Sequence, residues 1–248
     1  VSRFSRVAGV TTPEASGARV PWLAVGVFAA ACVMLSWLVA LPLWLGGQGL
    51  ADPLTPLVAA AMMFTPALAT VPALLVERRA RGARAVLRRL GMWPLRPLGR
   101  TLGWSAAMIF VMPLLVAAAL VVCAVTGIAR FDLLGFSGFM DTLRTTLPAG
   151  TELPPAALIV TLQLVAIPIG ALLNIPFAFG EEVGWRGWLL PALRPLGVWP
   201  ALLLSGAFWG FWHAPLILLG YNFGEPNPLG LAMMIVGSML IGVIMGWT

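Results

Sequence analysis

TLGWSAAMIFVMPLLVAAALVVCAVT, Thr101–Thr126, contains no charged side chain from end to end. A hydrocarbon core about 30 Å thick is crossed by roughly 20 helical residues, so this run is long enough to span one. It does not alternate between apolar and polar residues, as the strands of a membrane barrel do. Lipid offers no hydrogen-bond partner to a bare backbone, so a spanning segment of this kind must be a helix.

Five further apolar runs follow the same rule: Trp22–Leu45, Leu54–Val76, one beginning near Ala156, Trp199–Leu219 and Leu229–Trp247. The fold class expected is all-α, a polytopic transmembrane helix bundle with six spans in this chain and eight in a complete one. The sequence stops inside an apolar run without a polar tail, which reads as an incomplete chain. Of 248 residues 60% are hydrophobic and 10% charged, against about a quarter charged in soluble domains. Residues 1–21 form a polar N-terminal tail, and 22–248 are expected to be one transmembrane domain, with chemistry-bearing helices at about 156–194 and 199–219.

All fifteen basic residues are arginine, and the net charge is +6. They lie in short connections rather than along one face, so the pattern speaks for membrane topology and against nucleic acid. Arg78, Arg79, Arg81, Arg84, Arg88, Arg89, Arg96 and Arg100 surround the single acid Glu77 after the second span. By the positive-inside rule that loop is cytoplasmic, and so is the tail with Arg3, Arg6 and Arg19. The location expected is the cell (inner) membrane, multi-pass, with a cytoplasmic N-terminus. The stretch Gly127–Pro155, with nearly balanced charges, is expected to be an outside loop. Cys32 and Cys123 stand singly in apolar runs and read as packing residues.

A charged group inside a bilayer costs at least about 2.5 kcal/mol, so each needs a partner or a purpose. Glu181, Glu182, Arg186 and His213 are the groups this singles out. Glu182 and Arg186 are four apart and can pair on one helix face, while Glu181 points about 100° away. Arg194-Pro195-Leu196-Gly197 has the composition of a tight turn midway between Glu181 and His213. Folding back there brings the carboxylate and the imidazole to the same depth. Gly180/Gly184 and Gly206/Gly210 would then let the two helices approach each other. Trp185, Trp188, Trp209 and Trp212 suggest that the site lies near the cytoplasmic membrane interface. Pro168 and Pro176 read as helix-bending residues. Gln163, Asn174, Asn222 and Asn227 read as cavity-lining or capping residues.

Two glutamates and a histidine at one depth can activate water: the carboxylate takes a proton, and the imidazole orients the water, binds a metal or stabilises an oxyanion. Peptide hydrolysis suits this set best. A pure ion-pair clamp between helices is the competing reading. A transporter is disfavoured because no two matching halves with broken segments are seen.

Phe179-Gly180-Glu181-Glu182-Val183-Gly184-Trp185-Arg186-Gly187-Trp188-Leu189 resembles the first motif, Glu-Glu-x-x-x-Arg, of the CAAX protease and bacteriocin-processing (CPBP) family. Trp209-Gly210-Phe211-Trp212-His213 resembles its second motif, Phe-x-x-x-His, with Trp209 in the Phe position. The resemblance implies an intramembrane endopeptidase acting on membrane-associated or prenylated peptides, with the lipid bilayer and a peptide or membrane-protein substrate as partners. It implies that Glu181 activates water, that Glu182 pairs with Arg186, and that His213 completes the centre. It leaves open whether Glu181 and His213 hold a divalent metal such as zinc or the glutamate works alone; no other cofactor is implied. The family's third motif, His-x-x-x-Asn, is not found in this chain. A non-catalytic protein of the same fold, such as a bacteriocin self-immunity factor or scaffold, is the alternative.

Overall fold

In a computed structural model, which describes residues 19–78, 82–94, 97–148 and 150–247, every regular element is helical. Arg3, Arg6, Arg79, Arg81 and Arg96, and most of the N-terminal tail, lie outside the described residues. The apolar runs become α1 (Trp22–Leu45), α2 (Thr55–Met62) with α3 (Thr65–Glu77), α5 (Leu98–Val125), α7 (Ala156–Glu182), α9 (Val198–Trp212) and α11 (Pro228–Trp247). The short helices are α4 (Ala83–Arg89), α6 (Ser137–Thr146), α8 (Leu190–Leu193) and α10 (Ala214–Ile217). Among the described residues, five helical segments are long and apolar enough to cross a membrane: Trp22–Leu45, Thr55–Glu77, Leu98–Val125, Ala156–Leu196 and Pro228–Gly246. Val198–Trp212 is a sixth, shorter apolar helix. This is an all-α, multi-pass membrane protein.

Three features differ from the sequence expectation, each for a local reason. The second span is broken at Met63 and Phe64, because Pro66 follows at the start of α3 and supplies no N–H to the preceding turn. The fifth span stops at Trp212 rather than Leu219. Pro215 donates no hydrogen bond and disfavours a helical residue before it, so the chain pauses at His213 before α10. The stretch Gly127–Pro155 contains a helix, α6, ahead of which the Asp132 carboxylate accepts from the N–H groups of Leu134 (3.1 Å) and Gly135 (2.8 Å). Those donors hold the Asp132 carboxyl below the usual carboxylate range.

The chain forms two compact units. One comprises 1–94 and 177–248, and the other 95–176. In the first, Phe28, Ala40 and Leu43 of α1, Ala69 and Ala73 of α3, and Trp185, Trp188 and Leu189 after α7 build a shared buried core. In the second, α5 contributes no buried residue, and Met140 of α6 is the one buried hydrophobic side chain among the described residues.

Candidate active site

The break in the second span is the platform of the site. Thr65 stands at the break, and its hydroxyl donates to the Met62 carbonyl (2.8 Å), an acceptor that the interrupted helix leaves free. The same oxygen accepts the indole N–H of Trp212 (2.9 Å), one residue before His213. Gly180 and Gly184 sit directly on this platform. A Cβ on Gly180 would stand 2.9 Å from the Met63 carbonyl oxygen, and one on Gly184 would collide with Pro66. Gly206 and Gly210 face elsewhere: a Cβ on Gly206 would stand 2.6 Å from the Met239 backbone, and one on Gly210 would meet Ile235. The two small-residue pairs therefore do not face each other. Each admits a third element, the α2–α3 break in one case and α11 in the other, because a glycine pair lets any backbone approach and does not specify which.

Directly after Glu182 the helix widens. Val183–Leu189 is π-helical, and the Leu190 N–H bonds to the Trp185 carbonyl, five residues back. Gly184 and Gly187 stiffen the helix least of all residues, and Pro191 cannot donate to the Gly187 carbonyl, so a regular α-turn is weakly favoured here. Single π-turns of this kind concentrate at functional sites. Across it, Arg186 Nη1 meets Glu182 Oε1 at 2.9 Å, the ion pair that the four-residue spacing predicts. The Arg186 guanidinium also lies 4.3 Å from the ring centre of Trp209, a cation–π contact.

Trp209 connects the two motifs. Its indole N–H donates to Glu181 Oε2 at 2.9 Å. Its backbone carbonyl lies 2.8 Å from His213 Nδ1. A carbonyl can only accept, so Nδ1 carries the proton, and in the neutral ring Nε2 then presents a lone pair. His213 thereby caps the end of α9 with its own ring. One residue holds the carboxylate by its side chain and the imidazole by its backbone, and ion-pairs neither. Glu181 is 9% exposed, while Glu182, Arg186, Trp209 and His213 are half-buried.

Residues 155–248 match the family model described as type II CAAX prenyl endopeptidase Rce1-like. Over this part the chain is similar to the CAAX-protease-like family. A relative called CAAX prenyl protease 2, from Methanococcus maripaludis, is 36% identical over 58 residues, or 23% of this chain. The chain covers 21% of that relative's length. No solved structure matches.

Within the matched segment, the other motif tryptophans are core residues rather than rings exposed to an interface. Trp185 and Trp188 are 1% and 0% exposed, and Trp212 is buried too. Phe28 stacks on Trp188 at 5.0 Å and meets Trp185 edge-on, so these rings fill the core of a helix bundle. The Trp188 N–H reaches Glu77 Oε2 (3.1 Å), whose other oxygen pairs with Arg89 (3.1 Å). Sequence reasoning missed the importance of Glu77, and it read Trp185 and Trp209 as interface tryptophans, with Trp209 in a motif position, without the bonds they make or lack. The lone acid among so many arginines was the available signal for Glu77, and the four-residue spacing from His213 was the signal for Trp209. Gln163 and Asn174 are exposed on α7 in the other unit, Asn222 occupies a left-handed turn, and Asn227 accepts the Leu229 N–H at the start of α11.

A catalytic zinc takes three protein ligands and an open position. Among the described residues no three of His, Cys, Asp and Glu converge on a metal-sized site. Glu181 and His213 supply two, with one Glu181 oxygen already engaged by Trp209. These two residues alone do not complete a zinc site.

Proposed function

We propose that this protein is an intramembrane endopeptidase that hydrolyses membrane-associated or prenylated peptides with a glutamate-activated water. The observation that carries this reading is the double hold of Trp209 on Glu181 and His213. Glu181 Oε1, the oxygen not engaged by Trp209, takes a proton from water. His213 Nε2 accepts the water's second hydrogen bond and aims its oxygen at the scissile carbonyl. Attack forms the C–O bond, and the proton on Glu181 then passes to the amide nitrogen as the C–N bond breaks. Glu182 and Arg186 do not enter the chemistry; their ion pair fixes the π-turn, and the guanidinium holds the Trp209 ring in place.

Purified full-length chain in proteoliposomes, given a quenched fluorescent prenylated peptide, tests the reading. Cleavage by the wild type and none by Glu181→Gln is the expected result. Equal cleavage by both overturns it. The glutamate–arginine pair and the tryptophan bonds would equally serve a non-catalytic helix clamp; such a protein keeps its biological effect in Glu181→Gln. Undiminished turnover with 1,10-phenanthroline, at about the millimolar level that strips catalytic zinc, is expected of water activation without a metal.

The same reading places the basic connection around α4 in the cytoplasm and the protein in the inner membrane. The Glu77 bonds to Arg89 and Trp188 put the turn at Gly197 at the same end of the first unit as α4. Cysteines introduced at the exposed positions Arg84 and Val198 should both label from the cytoplasmic side; labelling from the outside reverses the topology.

A further inference from the structure

Trp185 is fully enclosed, between Phe28 at 5.6 Å and Trp212 at 5.9 Å, yet its indole N–H has no hydrogen-bond partner among the described residues. The other three motif tryptophans each spend theirs on a named acceptor: Trp188 on Glu77, Trp209 on Glu181 and Trp212 on Thr65. A buried donor left unmade is among the costliest features a core can carry, and native proteins satisfy nearly all of them, often with an ordered water. Trp185 follows Glu181 by four residues and so shares its helix face. Its N–H lies close enough to the Glu181 carboxylate to act on it, yet outside the distance and angle of a formed direct hydrogen bond. Glu181 Oε2 is engaged by Trp209, which leaves Oε1 as the oxygen that Trp209 does not engage.

We propose that Trp185 is the water-positioning residue of the site: its Nε1–H donates to the oxygen of the hydrolytic water while that water donates to Glu181 Oε1. This inference rests on the endopeptidase reading and adds a donor to it. A water held this way offers one O–H to the base and has one lone pair fixed by the indole. The remaining lone pair is free to attack, so the water is oriented before substrate arrives. During attack the proton moves from water to Oε1, the C–O bond forms, and the indole N–H stays protonated throughout.

Two measurements separate this proposal from the reading beneath it. The first uses the full chain in nanodiscs with 15N-labelled tryptophan, resonances assigned by single Trp→Phe variants, and needs no turnover. A water cross-peak to the Trp185 indole that weakens in Glu181→Leu supports the proposal even if no peptide is cleaved. Its absence, with the Trp199 indole showing the solvent peak of an exposed residue, overturns it even if cleavage is robust. The second replaces Trp185 by 3-benzothienylalanine, which keeps shape and puts sulfur in place of N–H. Loss of about tenfold or more in kcat with KM unchanged and thermal stability equal or higher is expected. An unchanged kcat overturns the proposal, because a merely structural ring would tolerate the swap. Trp185→Phe should show the same kcat loss and serves if the analogue is incorporated poorly, while Trp199→Phe, at an exposed ring, should leave kcat unchanged.

Discussion

The two units of this chain solve the same problem, placing helices in lipid, in opposite ways. In the unit formed by 1–94 and 177–248, helices are cross-linked through polar atoms: four indole N–H groups reach acceptors far away in sequence, and four glycines bring backbones into contact. In the unit 95–176, α5 presents apolar side chains on all sides, and Gly103 and Gly170 have no atom within 4 Å of where a Cβ would stand. An apolar cleft of about 640 Å³ lies between α5 and α7, lined by Met108, Met112, Pro113, Val116, Leu164 and Ile167. Packing between lipid-embedded helices has no hydrophobic driving force of its own, so it must come from close contact and hydrogen bonds. The unit that invests in both is the one that carries the candidate site.

Substitutions can break that contrast. Glu181→Gln or His213→Ala in the first unit should lower cleavage about a thousandfold, with folding intact by thermal melt, whereas Leu164→Ala in the second should change it less than about twofold. Gly184→Val forces a side chain into Pro66 and should destabilise the protein by about 3 kcal/mol, read as loss of monodisperse protein on heating in detergent. Trp209→Phe keeps the ring over Arg186 and removes the bond to Glu181. A drop of about tenfold to a hundredfold in kcat is expected, the worth of one hydrogen bond to a charged group, with little change in the melt. The smallest effect sharpens the comparison from the other side: Gly103→Ala, in open space on α5, should be neutral or stabilising by less than about 1 kcal/mol.

The helical class and most span limits were legible because run length against bilayer thickness is a one-dimensional property. So was the Glu182–Arg186 pair, which needs only the repeat of one helix, and the turn at Gly197, where a left-handed backbone follows Arg194–Leu196. What spacing did not carry was the identity of partners. Gly206 could have faced α7 or α11, and only the packed chain decides. The tryptophans were read by their average preference for interfaces, but a tryptophan whose N–H finds an acceptor can be buried whole, and Trp188 found one in Glu77. The pause at His213 had a signal in Pro215, two residues on. The π-helical turn had a weaker one in Gly184, Gly187 and Pro191, residues that loosen an α-helix without stating what replaces it.

That widened turn behaves as an α-helix holding one residue too many. An extra residue in a regular α-helix would turn every later side chain by about 100°, and widening one turn absorbs it so that the helix beyond keeps its heading. Deleting a single position between Val183 and Leu189 would therefore let the ordinary winding close again with Arg194 and the turn still aimed as before and both glutamates untouched. What the spare residue changes is local: it resets which side chains within this one turn stand across from each other, so a shortened chain would test the turn itself rather than the return path.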